Sequence, residues 1–200
     1  MTAFDSSRRR FLTDGGTAVV ATWAATSLPG LREALAHARR VASQPTAPPF
    51  EFLTPAQGAD IEAMAAQIWP TDDMPGAREA GVVHFIDHAL ATDPVALPMR
   101  PLFTTGVEQL QAKVGELYPG TDTRFAALAG ERQMAVLRAI ESTPFFDGVR
   151  TITMLALFAN PSYGANPSGQ NWAAIGFEPR FVWRPPFGAY DRDAHAGEGQ

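Results

Sequence analysis

Two histidines at helical spacing, with a carboxylate beside them, form the sharpest chemical pattern in this sequence. His84 and His88 are four residues apart and Asp87 precedes His88, so a helix would place both imidazoles on one face. Such pairs occur in zinc enzymes. The other histidines, His37 and His195, lie towards the ends of the chain and suggest no third ligand. We therefore expect no metal site, and His84 and His88 are the only candidates for one.

Two further patterns admit both a chemical and a structural interpretation. Asp72 and Asp73 could act as paired carboxylates or bind a cation, but acidic residues before Pro75 and Gly76 are also typical of turns and helix caps. Residues 164–171 have the glycine content of a phosphate-binding loop, yet they lack its Lys-Ser/Thr pair. Both segments are interpreted as structural, and no catalytic residue is assigned.

The composition excludes several classes of chemistry. The chain contains no cysteine, which removes disulfides, thiolate zinc sites, iron–sulfur ligation and covalent haem attachment. A Gly-x-Gly-x-x-Gly fingerprint for a dinucleotide is also absent. A net charge of −5 with the single lysine Lys113 disfavours nucleic acid, whose phosphates bind basic proteins. We therefore expect this chain to bind no cofactor itself.

The elements that must position these residues are mainly α-helical. Apolar side chains recur three and four residues apart in five segments, which is the spacing of one helix face. The five predicted helices run from about 55 to 69, from Val82 to Asp93-Pro94, around Phe103 to Leu117, from about 131 to 141, and from Thr143-Pro144 to Asn160-Pro161.

The ends of this helical region have their own signals. Thr54 as N-cap, Pro55 at the first helical position and Gln57 three residues after the cap predict a capping box. Residues 160–200 are rich in Gly, Pro and aromatic residues but have no sustained period. The predicted fold class is therefore mainly α, an irregular bundle of about five helices with a long ordered C-terminal coil.

Residues 1–43 have the pattern of an export leader. Arg8 and Arg9 are followed by one free position and then by Phe11 and Leu12, which fits the twin-arginine motif. An uncharged stretch comes soon after it. The alternative is an arginine-rich disordered tail before a buried helix. Because the twin-arginine route carries folded cargo, we expect a periplasmic protein, with the inner-membrane surface as one possible position.

The leader is predicted to end before a proline-rich linker over 44–53, and the helical domain with its coil occupies 54–200. The uncharged stretch over 15–31 is only mildly hydrophobic and shorter than the roughly 20 residues of a membrane span. Cleavage could follow Ala38 or Ser43. The sequence leaves open whether the leader is removed.

Several linked motifs run through the chain in a fixed order. They are Leu53-Thr54-Pro55, the segment from Ile68-Trp69-Pro70 through Asp72-Asp73-Met74-Pro75-Gly76 to Val82, the segment Ala159-Asn160-Pro161-Ser162-Tyr163-Gly164-Ala165-Asn166, and then Trp172 and Ile175-Gly176-Phe177. Together they resemble the gluconate 2-dehydrogenase subunit 3 family over about residues 50–180. One departure is Ala165, where the family pattern has glycine.

The resemblance implies a small exported subunit that has no catalytic residue and helps a partner to fold, to hold FAD or to cross the membrane. The partner would be a large FAD-dependent catalytic subunit of the glucose-methanol-choline class, and a cytochrome c subunit, which carries haem c, often accepts the electrons. The substrate of the complex would be a sugar, sugar acid or glycoside. Two alternatives are a free-standing exported metal-dependent hydrolase or lyase that uses His84 and His88, and a periplasmic binding or structural protein.

Contacts with such a partner should concentrate in the non-periodic segments, because the apolar helix faces are committed to the core. Aromatic residues on a rigid Pro/Gly backbone are typical of interface hot spots. The same aromatics could instead be core that wraps over the helices. The predicted interface residues are Asp72, Asp73, Pro75, Gly76, Tyr163, Gly164, Asn166, Trp172 and Trp183.

Overall fold

A computed structural model describes residues 15–120, 122–166 and 169–179. These residues form eight α-helices and no strand, which confirms the mainly α class. The helices are α1 (Gly15–Thr26), α2 (Leu28–Ala42), α3 (Pro55–Ile68), α4 (Val82–Thr92), α5 (Arg100–Leu117), α6 (Gly130–Ile140), α7 (Pro144–Phe158) and α8 (Gln170–Ala174). Single 3-10 turns occur at Leu97–Met99, Phe125–Ala127 and Pro161–Tyr163.

The five helices predicted from apolar spacing correspond to α3 through α7, with ends that differ by a few residues. The capping box at α3 is also confirmed, since the Gln57 amide N–H donates to Thr54 Oγ1 over 3.3 Å and the Thr54 N–H donates to Gln57 Oε1 over 2.9 Å. The predicted number of helices was too low for the described chain. The additional helices lie in the predicted leader (α1 and α2) and in the predicted coil (α8).

Helices α1 and α2 contribute side chains to the hydrophobic core. Helix α1 packs against α7, and α2 packs against α4. Ala38, after which cleavage could occur, is buried within α2. Among the described residues no helix is both long enough and apolar enough to cross a membrane. The buried residues of the two helices include Val20, Trp23, Leu31, Ala34, Leu35 and Val41.

The carboxylate of Asp93, at the end of α4, fixes α1 and α2 in place. Its Oδ2 accepts hydrogen bonds from Trp23 Nε1 at 2.7 Å and from Ser27 Oγ at 2.6 Å, and its Oδ1 accepts from the Val95 N–H at 2.9 Å. Burial opposes ionisation of Asp93, but these three donors outweigh it and lower its pKa. Gly30 makes the close approach possible, since a Cβ there would lie 2.0 Å from Asp93 Oδ2.

A second close approach occurs at the other end of α4. Gly81 precedes α4 with a φ of +68°, and a Cβ on it would lie 2.7 Å from the carbonyl oxygen of Ala38. Gly30 therefore lies opposite Asp93, while Ala38 lies opposite Gly81. Helices α2 and α4 consequently run antiparallel at short range, and each end of the contact depends on a residue without a side chain.

We expect Asp93→Asn to lower the free energy of unfolding by about 1–3 kcal/mol at neutral pH, because an amide cannot accept all three hydrogen bonds. A carboxyl group whose pKa is lowered by folding stabilises the protein above its ordinary pKa, which is 3.8 for Asp93. That contribution is lost as the pH falls through the lowered value. The difference between wild type and variant should therefore shrink in acid.

Chemical denaturation of both proteins over a series from pH 7 to pH 2 measures this difference. Asp73→Asn, at an exposed carboxylate in a loop, is the matched control. A difference between wild type and Asp93→Asn that stays constant down to pH 2 contradicts the assignment.

Candidate functional site

His88 lies between two carboxylates from two other segments. It is 8% exposed on α4, and its Nδ1 is 3.1 Å from Glu51 Oε1 in the linker before α3. Its Nε2 faces Glu33 of α2, with 3.9 Å between Nε2 and Oε1. This Nε2 is buried and has no hydrogen-bond partner. The imidazole therefore has one satisfied nitrogen and one unsatisfied nitrogen.

His37 of α2 completes the cluster, one helical turn after Glu33. Its ring stacks on the His88 ring, with 4.0 Å between the centroids and 6° between the planes. His37, Glu51 and His88 each bring a potential ligand atom within 4.8 Å of those of the other two. Burial and the neighbouring His88 lower the pKa of His37, which favours the neutral ring. His37, which lies in the predicted leader and was not expected to be a ligand, thus packs against His88.

His84 does not belong to this cluster. It is half-buried and stacks on Phe50, with 5.2 Å between the ring centroids. Burial lowers the pKa of His84 and outweighs the nearby carboxylates of Asp87 and Glu62, which raise it. The four-residue spacing on α4 therefore places His84 and His88 in two different environments.

Asp87, the carboxylate of the same motif, has a structural role. It is buried, and it accepts hydrogen bonds from three successive backbone N–H groups, those of Glu51 at 2.7 Å, Phe52 at 2.9 Å and Leu53 at 2.8 Å. These bonds leave its oxygens committed to the linker. Asp87 therefore positions Glu51 beside His88, and its carboxylate is unavailable as a general base.

We expect Asp87→Asn to release the linker from α4, because an amide cannot accept all three backbone hydrogen bonds. The free energy of unfolding should fall by about 1–3 kcal/mol, and proteolytic cleavage near residues 51–53 should become faster. Limited proteolysis with mass spectrometry, together with denaturant unfolding, checks both effects. Asp122→Asn, at an exposed position, should match wild type. Unchanged cleavage in the linker of Asp87→Asn would contradict the assignment.

The loop over residues 70–77, which holds four of the predicted interface residues, is built around local hydrogen bonds. Asp72 Oδ1 accepts a hydrogen bond from the Met74 N–H at 2.8 Å, as expected for an aspartate in a turn. The Gly76 N–H donates to Glu79 Oε2 at 2.9 Å, and the Thr71 hydroxyl donates to the same oxygen at 2.7 Å. The bond from Thr71 lowers the pKa of Glu79. Asp72 and Asp73 themselves are exposed.

The second predicted segment, after α7, packs on α2. The guanidinium of Arg32 lies 4.6 Å from the ring centroid of Tyr163, a cation–π contact. Gly164 has a φ of +98°, and a Cβ on it would lie 3.1 Å from the Cα of Ala36. A side chain at Gly164 would therefore meet both backbone strain and the α2 backbone.

The two asparagines that flank the undescribed residues 167 and 168 are buried. Asn166 Oδ1 accepts from the Asn171 N–H at 2.9 Å, and Asn171 Nδ2 donates to the Leu157 carbonyl at 2.8 Å. Trp172 Nε1 donates to the Phe158 carbonyl at 2.8 Å. The side chain of Asn166 therefore serves the fold, whereas Trp172 is only half-buried.

Both predicted segments line one cavity of about 240 Å³ against α2. Its walls include Leu35 and Arg39 from α2, Pro75 and Glu79 from the first segment, and Gly164 and Asn166 from the second. The two segments are far apart in the sequence, and folding places them together. The remaining predicted residues lie outside the described residues. They are Trp183 in the coil and Arg8, Arg9, Phe11 and Leu12 of the export motif.

The sequence model of gluconate 2-dehydrogenase subunit 3 matches residues 55–179, well over half of the chain. The chain belongs to the gluconate 2-dehydrogenase subunit 3 family. The match begins at α3 and includes both segments that line the cavity, so the resemblance read from the motifs is confirmed. No curated protein and no solved structure matches the chain.

The family match separates the described site into two parts. His88 lies inside the matched residues of this subunit 3 chain, whereas Glu33, His37 and Glu51 lie before them. The family pattern therefore does not account for the histidine cluster. The matched residues do include an apolar edge after α8, where Ile175 is 57% exposed and Phe177 is 40% exposed.

Proposed function

We propose that this chain is the non-catalytic small subunit of an exported FAD-dependent dehydrogenase that oxidises a sugar, sugar acid or glycoside. The observation that carries the proposal is the subunit 3 match over residues 55–179. The absence of cysteine and of a dinucleotide fingerprint supports a chain whose redox chemistry belongs to its partner. In this proposal the FAD lies in a large glucose-methanol-choline class subunit, a cytochrome c subunit with haem c accepts the electrons, and the small subunit supports folding, stability or co-export.

The export part of the proposal rests on Arg8-Arg9-Arg10-Phe11-Leu12. A route for folded cargo suits a subunit that leaves the cytoplasm bound to a flavoprotein. A route for folded cargo is also compatible with α1 and α2, which follow the twin-arginine motif and are packed into the core. We therefore propose a periplasmic complex in which these two helices remain part of the small subunit.

We expect Arg8→Lys combined with Arg9→Lys to remove both this chain and its flavoprotein partner from the periplasm, because the paired arginines are the element that the export machinery reads. Fractionation, immunodetection of this chain and dehydrogenase activity measure the effect. Arg39→Lys with Arg40→Lys is the matched control, since it makes the same change at exposed positions outside the motif. Wild-type periplasmic levels of both proteins in the Arg8/Arg9 variant would contradict the export proposal.

We expect the exported chain to retain residues 15–43. Cleavage after Ala38 or Ser43 would remove Trp23 and the donors to Asp93 together with the apolar face of α2. Burying each such side chain stabilises the fold by about 1.5–3 kcal/mol. Intact-mass spectrometry of protein from the periplasm or its membrane surface checks this. A mature chain that begins at residue 39 or 44 and remains folded would contradict it.

The apolar edge after α8 is the surface that we propose for the partner. Trp172 packs edge-on against Phe177, with 5.5 Å between the ring centroids, and Ile175, which lies between them in the sequence, is exposed. Asp72 and Asp73, which are exposed, form a second, polar contact in this proposal. Exposed aromatic residues on a hydrogen-bonded backbone are the type that dominates interface energies.

We expect Ile175→Ala combined with Phe177→Ala to weaken the complex by a factor of tens, since removing an anchor from an interface costs roughly 2 kcal/mol or more. Co-purification of the flavoprotein with the variant measures the loss. Leu117→Ala is the matched control, because Leu117 is 40% exposed at the end of α5. A folded double variant, checked by circular dichroism, that still retains the partner at wild-type yield would contradict this surface.

A further inference from the structure

We propose that His88, His37 and Glu33 bind one divalent transition-metal ion, with Glu51 as the group that orients His88. This site is independent of the accessory function, because it joins segments of this chain only. Its ligands would come from α2 and α4 and its orienting carboxylate from the linker before α3. A bound ion would fasten α2 to the rest of the fold.

The unsatisfied nitrogen of His88 is the first observation that points to an ion. Glu51 Oε1 is 3.1 Å from Nδ1, a hydrogen-bond distance, so Nδ1 is engaged by Glu51 and Nε2 is the nitrogen left for a ligand. Nε2 is buried without a partner in a residue that is 8% exposed. A carboxylate on one nitrogen and an ion on the other is the usual arrangement of a metal-binding histidine.

The position of Glu33 is the second observation. Glu33 Oε1 lies 3.9 Å from His88 Nε2, which is too long for a hydrogen bond. Zinc binds nitrogen at about 2.0–2.1 Å and carboxylate oxygen at about 2.0–2.2 Å, so an ion between the two atoms is within reach of both. Binding would require the exposed Glu33 side chain to move, so that the nitrogen–ion–oxygen angle approaches the tetrahedral value.

His37 supplies the third ligand after a rotation of its ring. It follows Glu33 by four residues on α2, so both side chains extend from the same helix face. In the stacked arrangement the parallel rings of His37 and His88 cannot both direct an in-plane lone pair at one ion. Turning the half-buried His37 ring out of the stack corrects this.

The donor set selects the class of ion. Two imidazoles and a carboxylate suit zinc, copper(II) or nickel(II), whereas calcium and magnesium prefer sites made of oxygen ligands. Ligands from two packed helices would link α2 to α4, and the fourth position of a tetrahedral ion would be left to water. The inference is therefore a structural ion that holds α2 on α4, with no step of catalysis assigned to it.

The test uses the full chain, purified without a polyhistidine tag and freed of metal by a chelator. Titration with zinc chloride in a calorimeter should give saturable binding of one ion per chain at micromolar protein concentration. Zinc should also raise the midpoint of thermal unfolding, because an ion that binds only the folded state stabilises it. Cobalt(II), a spectroscopic probe, should give the visible absorption of a low-coordinate ion.

Variants separate the roles of the four side chains. His88→Ala should abolish saturable binding, and His37→Ala and Glu33→Gln should each weaken it at least tenfold. Glu51→Gln should weaken it about 10- to 100-fold, the range for a group that orients a ligand. His84→Ala is the matched control, since it removes a histidine of the same helix that lies outside the cluster, and it should bind as wild type does.

Three outcomes would overturn the inference. The first is the absence of saturable zinc binding to the wild-type chain, and the second is wild-type affinity in both His88→Ala and Glu33→Gln. Glu33 has a side chain that is 70% exposed, so Glu33→Gln keeps the test valid even if His88→Ala fails to fold. Equal losses in His84→Ala and His88→Ala would show scattered surface binding and would also overturn it.

Discussion

The antiparallel contact between α2 and α4 is the constraint on which the rest of the structure depends. At one end Gly30 admits the Asp93 carboxylate, and at the other Gly81 admits the backbone of Ala38. Between these two points α2 carries Glu33 and His37 opposite His88. On its other side α2 supports Tyr163 and Gly164 of the family motif. A wider separation of the two helices would dismantle all of these contacts together.

The same contact explains how the matched domain and the helices that precede it share one core. The family match begins at residue 55, yet the core is completed by apolar residues of α1 and α2, which precede it. Asp93 lies within the matched segment and takes its side-chain hydrogen bonds from Trp23 and Ser27, which do not. The matched domain and the two preceding helices are therefore interdependent, and neither surface would tolerate water well without the other.

Sequence reasoning predicted the part of the fold that has periodic signals. Helices α3 to α7 have apolar faces at regular spacing, and α3 has a capping box, so their positions follow from local rules. The sequence of α1 is mildly hydrophobic and uncharged, a local pattern that fits both a signal segment and a buried helix. Its packing against α7 is a tertiary contact that this pattern does not encode.

The candidate site was less predictable, because its parts come from distant positions in the chain. His84 and His88 were linked by spacing, but burial and the Phe50 ring separate their environments. His37 and His88 were judged unrelated, and the α2–α4 contact stacks them. Asp87 precedes His88 in the sequence and was grouped with the histidines, but its carboxylate accepts hydrogen bonds from three backbone N–H groups of the linker. Each case was decided by a tertiary contact that no local pattern encodes.

The packing of α1 and α2 also sets a boundary for protein engineering. Producers of exported enzymes often exchange a native leader for the secretion signal of a host. A junction at residue 44, where the proline-rich linker begins, looks natural in the sequence, but it would discard Trp23 and the apolar face of α2. A junction ahead of Gly15 keeps both helices. The folded unit therefore includes residues that a signal-peptide pattern would assign to the leader.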